Sequence, residues 1–155
     1  MFVIAKHRLI QVPLSNAGFE TPGVAPNPHQ DWTRGGATGQ VVAETNPAQC
    51  HSGSRCLRFD IGADNLNCQV SKTILIVGAH YYLYYWAKTD VPGSQIGYAT
   101  SINGLDRFSL TTSYIRCVHR FRALGTGLVI KRYGPGIPDN PYKLWVDDVE
   151  LWRIT

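Results

Sequence analysis

The segment LWVDDVELW, residues 144–152, is built from branched and aromatic residues without glycine or proline, the composition of a β-strand. Two carboxylates, Asp147 and Asp148, sit side by side in its middle. Side chains alternate along a strand, so regular alternation splits the pair between opposite faces. One of them then points towards whatever Trp145, Val149 and Leu151 pack against. An ionised carboxylate in an apolar interior is costly unless it is neutralised or paired. The segment thus poses a choice between acid–base chemistry, a metal ligand and an ordinary ion pair.

Outward from this segment the chain repeats the same kind of unit. Strand-like runs are GQVVAET (39–45), SRCLRFDIG (54–62), CQVSKTILIV (68–77), HYYLYYWAKTD (80–90), SQIGYATSI (94–102), FSLTTSYIRCVHRFRA (108–123), GLVIKRY (127–133) and KLWVDDVELWRI (143–154). Turn-forming stretches separate them: NAGFETPG (16–23), PNPHQ (26–30), NPAQCHSGS (46–54), VPGS (91–94) and YGPGIPDNP (133–141). Many short strands with no helical pattern predict an all-β protein, a β-sandwich or jelly roll of two antiparallel sheets. No internal repeat or linker divides the 155 residues, so one domain over residues 1–155 is expected.

Two runs have informative faces. In YYLYYWAK, Tyr81, Leu83, Tyr85 and Ala87 share one side; Tyr82, Tyr84, Trp86 and Lys88 share the other. A strand aromatic on both faces is expected to be covered on both, by the core and by a ligand, a partner or a loop. In YIRCVHRFRA, Ile115, Cys117, His119, Phe121 and Ala123 read as core, and Arg116, Val118, Arg120 and Arg122 as a basic outer stripe.

The net charge is +4 and the isoelectric point about 9.0. The basic residues are mostly scattered, with no recognition-helix pattern, RNA-binding aromatic signature or basic tail, so nucleic acid is not the expected partner. No stretch approaches the ~20 apolar residues of a membrane-spanning helix. The opening MFVIAKHRLIQVPL is broken early by Lys6, His7 and Arg8, unlike a secretory signal. The cysteines Cys50, Cys56, Cys68 and Cys117 lack zinc-site spacing. Cys56 and Cys68 fall on successive strands and could bridge, but buried free thiols are the simpler expectation.

Five motifs stand in order: NAGFE (16–20), HSGSRCL (51–57), YYLYYWAK (81–88), the phenylalanine-bearing strand SYIRCVHRFRA (113–123) and LWVDDVEL (144–151). This series resembles the jelly-roll carbohydrate-binding modules of the galactose-binding-like superfamily, those appended to xylanases and glucanases. The resemblance runs from about Asn16 to Leu151. It implies one structural calcium ion at the sandwich edge, held by Glu20 and Asp147 with carbonyls of the Ser52 to Ser54 loop. Calcium's preference for six to eight hard oxygens agrees with that set. Asp148 is then an ordinary solvated or interfacial charge.

Catalysis is not expected. Glycosidases place two carboxylates across one bond, which neighbours on one strand with regular alternation cannot do. No nucleophile elbow or metalloprotease helix is present, and the five histidines form no cluster in sequence. Two non-catalytic functions remain. One is polysaccharide binding, with Tyr82, Tyr84 and Trp86 stacking on sugar rings and Arg116, Arg120 and Arg122 meeting hydroxyls. The other, ranked first on sequence, is a bacteriophage virion surface component: a capsid decoration (cement) protein or tail appendage, held in an oligomeric assembly by capsid or other virion proteins. That ranking rests on the missing signal peptide and catalytic domain, and on fold analogy. The corresponding locations are the virion, or the extracellular space for a module cut from a secreted protein.

Overall fold

The computed structural model describes residues 7–35, 41–62, 68–99, 107–133 and 141–155. Most of the expected 133–141 loop, residues 39–40, and the end of the run at 94–102 lie outside them. Eleven strands are described: β1 (Leu9–Val12), β2 (Thr33–Gly35), β3 (Val41–Glu44), β4 (Cys56–Ile61), β5 (Gln69–Thr73), β6 (His80–Thr89), β7 (Gln95–Ala99), β8 (Arg107–Ser109), β9 (Ile115–Arg122), β10 (Gly127–Tyr133) and β11 (Tyr142–Ile154). The only helical turn among the described residues is the short 3-10 segment Pro47–Gln49. All pairings are antiparallel. One sheet runs β3-β4-β11-β6-β9, with β1 also on β11; the other runs β2-β5-β10-β7-β8. The expected all-β sandwich of two antiparallel sheets is the observed fold.

Alternation explains the core. Leu57, Phe59 and Ile61 of β4, Tyr81, Leu83 and Tyr85 of β6, Cys117 and Phe121 of β9, and Leu144, Val146, Val149 and Leu151 of β11 are buried. They join Val70, Ile96, Leu128 and Ile130 of the other sheet in one apolar cluster. Each such side chain contributes roughly 1.5–3 kcal/mol by leaving water. The inward residues read from β6 and β9 all take part, with Ile115 partly buried and His119 hydrogen-bonded through Nε2 to the Tyr85 hydroxyl at 2.9 Å. The run expected over 108–123 is two strands, β8 and β9, separated by a turn. The N-terminal run adds β1, which the sequence pattern did not single out.

The central strand β11 departs from regular alternation. Its pairing with β6 shifts between Asp147↔Trp86 and Glu150↔Tyr84, so three steps on β11 match two on β6. Asp148 takes up the extra residue with φ of 48°, the left-handed region that aspartate tolerates better than most residues. Before this bulge the even-numbered residues Leu144 and Val146 face the core; after it the odd-numbered Val149 and Leu151 do. Trp145 therefore does not share a face with Val149 and Leu151, contrary to the expectation from strict alternation.

The bulge also has a place in the sheet. On the edge of β11 away from β6, β4 pairs with Tyr142–Val146 and β1 with Leu151, Trp152, Arg153 and Ile154. Between them the Asn16–Glu20 turn fills the gap, and Val149 donates its N–H to the Ala17 carbonyl at 3.0 Å. Phe19, with φ of 58°, is fully buried there against Trp32 and His29. The Trp32 indole N–H donates to the Asn16 carbonyl at 3.0 Å. The NAGFE motif is thus a plug for a gap that the bulged strand leaves in its own sheet.

Candidate functional site

The outer face of the larger sheet carries the residues singled out for binding. Three rows cross β11, β6 and β9 in register: Trp152–Tyr82–Arg120, Glu150–Tyr84–Val118 and Asp147–Trp86–Arg116. Tyr82 and Tyr84 stack with centroids 6.0 Å apart and planes 20° apart. The Arg116 guanidinium lies 4.5 Å from the Tyr84 ring centre, and that of Arg120 lies 5.9 Å from Tyr82. Both distances are within reach of a cation–π contact. Glu150 ties the rows together: its carboxylate is 3.9 Å from Arg116 and accepts the Trp152 indole N–H at 3.1 Å. Arg122 stands one row further on and donates to the Gly78 carbonyl at 3.2 Å.

Trp86 has a different environment from the two tyrosines. The His51 ring lies on it, centroids 4.1 Å apart and planes 14° apart, with Tyr114 edge-on to His51. All three rings of the expected row Tyr82, Tyr84, Trp86 are half-buried, Trp86 beneath a loop residue and the two tyrosines against each other and the arginines of β9. Beyond Trp86 the face is closed by polar contacts. Lys88 sits over Tyr114 and Trp145, and Glu44 accepts from the Trp145 indole and from Arg58. Burial alone would raise the Glu44 pKa, but hydrogen bonds from Trp145, the Asn46 amide and Arg58, together with the Arg58 charge, bring it down to about 2.

The capping loop is held by the residues expected to bind metal. Cys50 and Cys56 form a disulfide across it, while Cys68 and Cys117 are buried free thiols. The possible Cys56–Cys68 bridge is not formed, because Cys56 at the start of β4 pairs with Cys50, so the expectation of free thiols holds for Cys68 and Cys117 and fails for this pair. Asp147 is fully buried, and its Oδ2 accepts the N–H groups of His51 and Ser52 at 3.0 and 3.1 Å. Glu20 accepts from the Ser54 N–H and hydroxyl, both at 3.0 Å. Gly53 adopts φ of 61° against the Glu20 carboxylate, where any side chain would collide. Asp148 does not face away from Asp147. The bulge turns it to the same loop, where it meets His51 Nδ1 at 2.7 Å and accepts the Ser52 hydroxyl at 2.8 Å.

The Asp147 and Asp148 carboxylates consequently converge near Gly18, while the Glu20 carboxylate turns to Ser54 and only its Cγ comes close. A Cβ there would lie 3.4 Å from Asp148 Oδ1, 3.8 Å from Asp147 Oδ1 and 3.9 Å from Glu20 Cγ. Burial raises the Asp147 pKa to about 6, assisted by the Asp148 charge and opposed by the amides that bond it. Asp147 Oδ1 accepts a single N–H, from Asp148 at 2.9 Å, which leaves a lone pair. Excess negative charge, a small residue at the convergence and spare oxygen lone pairs fit a hard cation. Such an ion would neutralise charge between Asp147 and Asp148. The Glu20 carboxylate does not lie within one coordination shell of both, and the one close cluster of His, Cys, Asp or Glu among the described residues is Asp147 with the disulfide-bonded Cys50 and Cys56.

Reading the sequence did not single out three contributors. Trp152 and Glu150 face outward opposite the core residues Val149 and Leu151, as alternation allows, but nothing in the sequence tied them to the β6 row. His51 comes from a loop, for which periodicity carries no signal.

No protein-family model matches this chain, and no curated protein matches it. Solved structures do. The carbohydrate-binding module TmCBM61, in complex with β-1,4-galactotriose, superposes with a TM-score of 0.64 at 19% identity, covering 90% of this chain and 97% of that one. The CBM22-1 xylan-binding domain of Xyn10C from Paenibacillus barcinonensis gives 0.55 at 13% identity, covering 80% and 86%. The enzymatically active domain of bacteriophage CBA120 tailspike protein 4 gives 0.57 at 10% identity, covering 90% of this chain and 21% of that one. The chain has a carbohydrate-binding-module-like β-sandwich fold.

Proposed function

We propose that this protein is a non-catalytic carbohydrate-binding module whose binding surface is the outer face of β11, β6 and β9. The observation that carries the reading is the Tyr82–Tyr84 pair on the outer face: two half-buried, nearly parallel rings flanked by Trp152 and by the arginines of β9. A pyranose ring has apolar C–H faces that gain by leaving water against such rings, while its hydroxyls need polar groups at the rim. The similarity to modules that bind galactotriose and xylan supports this ordering of the hypotheses. The Cys50–Cys56 disulfide supports an extracellular setting, where such bonds persist.

The virion reading is the second proposal. Its support is the likeness to a phage tailspike domain, and it makes the same face a contact with capsid or tail proteins in an oligomer. The calcium ion is proposed as a structural tie away from the sugar face.

Affinity electrophoresis through gels containing a panel of plant and bacterial polysaccharides tests the first proposal. Wild-type protein is expected to be retarded by at least one polymer, and Tyr84→Ala to run as in a polymer-free gel with its fold intact. Retardation that survives both Tyr82→Ala and Tyr84→Ala would overturn the assignment of this face.

A further inference from the structure

The rim of the aromatic face is rich in hydrogen-bond donors. A sugar hydroxyl both donates and accepts, so a site for neutral sugars needs acceptors as well as donors around its stacking rings. Across the three rows the charged donors are Arg116 and Arg120, and Arg122 follows in the next row. Val118 separates Arg116 from Arg120 and is 42% exposed. The acceptors on the open part of the face, among the described residues, are the tyrosine hydroxyls, Glu150 and, at the β1 edge opposite Trp152, the exposed amide of Gln11, so the charged groups there are mainly cationic. Glu150 is already engaged by Arg116 and by the Trp152 indole. The Arg120 side chain makes no hydrogen bond or ion pair among the described residues; its one described contact is its position over the Tyr82 ring. Guanidinium is a donor-only group, and its planar fork matches planar or tetrahedral oxyanions.

We infer that the ligand of this face is an acidic polysaccharide, in which anionic groups on the sugar rings meet Arg116 and Arg120 while the rings stack on Tyr82 and Tyr84. This rests on the carbohydrate reading and specifies the class of sugar. The guanidiniums lie over the tyrosine rings before the ligand arrives, so a sugar ring that stacks there displaces them sideways and their N–H edges can take up its acidic substituent. The net charge of +4 favours encounter with a polyanion and keeps that encounter sensitive to salt.

The test is affinity electrophoresis of the full chain against five polymers: polygalacturonate, the same polymer after carboxyl reduction, dextran sulfate, dextran and poly-L-glutamate. The expected result is binding to polygalacturonate or dextran sulfate at least about tenfold tighter than to its uncharged counterpart, weakening with added salt. Which of the two acidic polymers binds better distinguishes carboxylate from sulfate recognition. Arg116→Gln/Arg120→Gln, altering two exposed side chains, should abolish that preference with melting temperature preserved. Equal retention by charged and uncharged forms would overturn the inference and leave the carbohydrate reading standing. Retention by poly-L-glutamate equal to that by the acidic sugars would also overturn it, marking a general polyanion surface. No retention by any sugar polymer, here or across the wider panel, would remove both.

Discussion

His51 lies flat on Trp86, ring centres 4.1 Å apart and planes within 14°, and its Nδ1 is 2.7 Å from a carboxylate oxygen of Asp148. One loop residue thereby joins the β11 bulge to the aromatic face and sets where that face ends. His51→Ala should expose Trp86 and destabilise the protein by about 1–2 kcal/mol, read as a lower urea midpoint at unchanged slope. Polysaccharide retention through Tyr82 and Tyr84 should persist. Its loss in a variant that still folds would show that the loop belongs to the binding surface.

Reduction of the Cys50–Cys56 bridge should cost about 2 kcal/mol, the value for closing a loop this short. Cys50→Ser/Cys56→Ser should reproduce the cost under non-reducing conditions. If reductant lowers the stability of this double variant as much as that of the wild type, the bridge is not the origin of the effect.

Chelation should lower the melting temperature, and Asp147→Ala should abolish that sensitivity, because the buried Asp147 carboxylate would lie at the centre of the proposed calcium site. The chelator effect should shrink in acid, because protons compete with the ion for the Asp147 carboxylate, whose pKa burial raises. Identical melting curves with and without chelator at neutral pH would remove calcium from the account.

Glu44 supplies an acid-sensitive element. Its folded pKa of about 2 lies below the ordinary value of 4.5, so the unfolded chain binds the extra proton between these limits. Its stabilisation is present above about pH 4.5 and is lost as pH falls towards 2, amounting to roughly 3 kcal/mol at most. Glu44→Gln should flatten stability against pH in this window. A slope as steep as that of the wild type would assign the acid transition to other carboxylates.

Much of this architecture was legible because β6 and β9 are regular. Period-two alternation placed Tyr82 and Tyr84 outside and Tyr81 and Tyr85 inside, and it set Arg116 and Arg120 beside the tyrosines. Reading β11 by the same rule failed at one residue. The left-handed turn at Asp148 offsets the phase on its two sides, which misplaced Trp145 relative to Val149 and Leu151 and wrongly parted the two aspartates. The meeting of Glu20 and Asp147 at one loop followed from the family resemblance, since no local pattern brings residue 20 near residue 147. The Cys50–Cys56 pairing was hidden because it depends on how the loop doubles back, which spacing alone does not fix.

The most direct measurement of the central claim is a nuclear magnetic resonance titration with an oligosaccharide drawn from the polymer that retards the protein most. The account predicts that the ring signals of Tyr82 and Tyr84 and the indole N–H of Trp152 shift together and saturate. Those of the core residues Tyr81 and Tyr85 should stay in place. Shifts confined to the five-stranded sheet, or to the loop carrying His51, would contradict it.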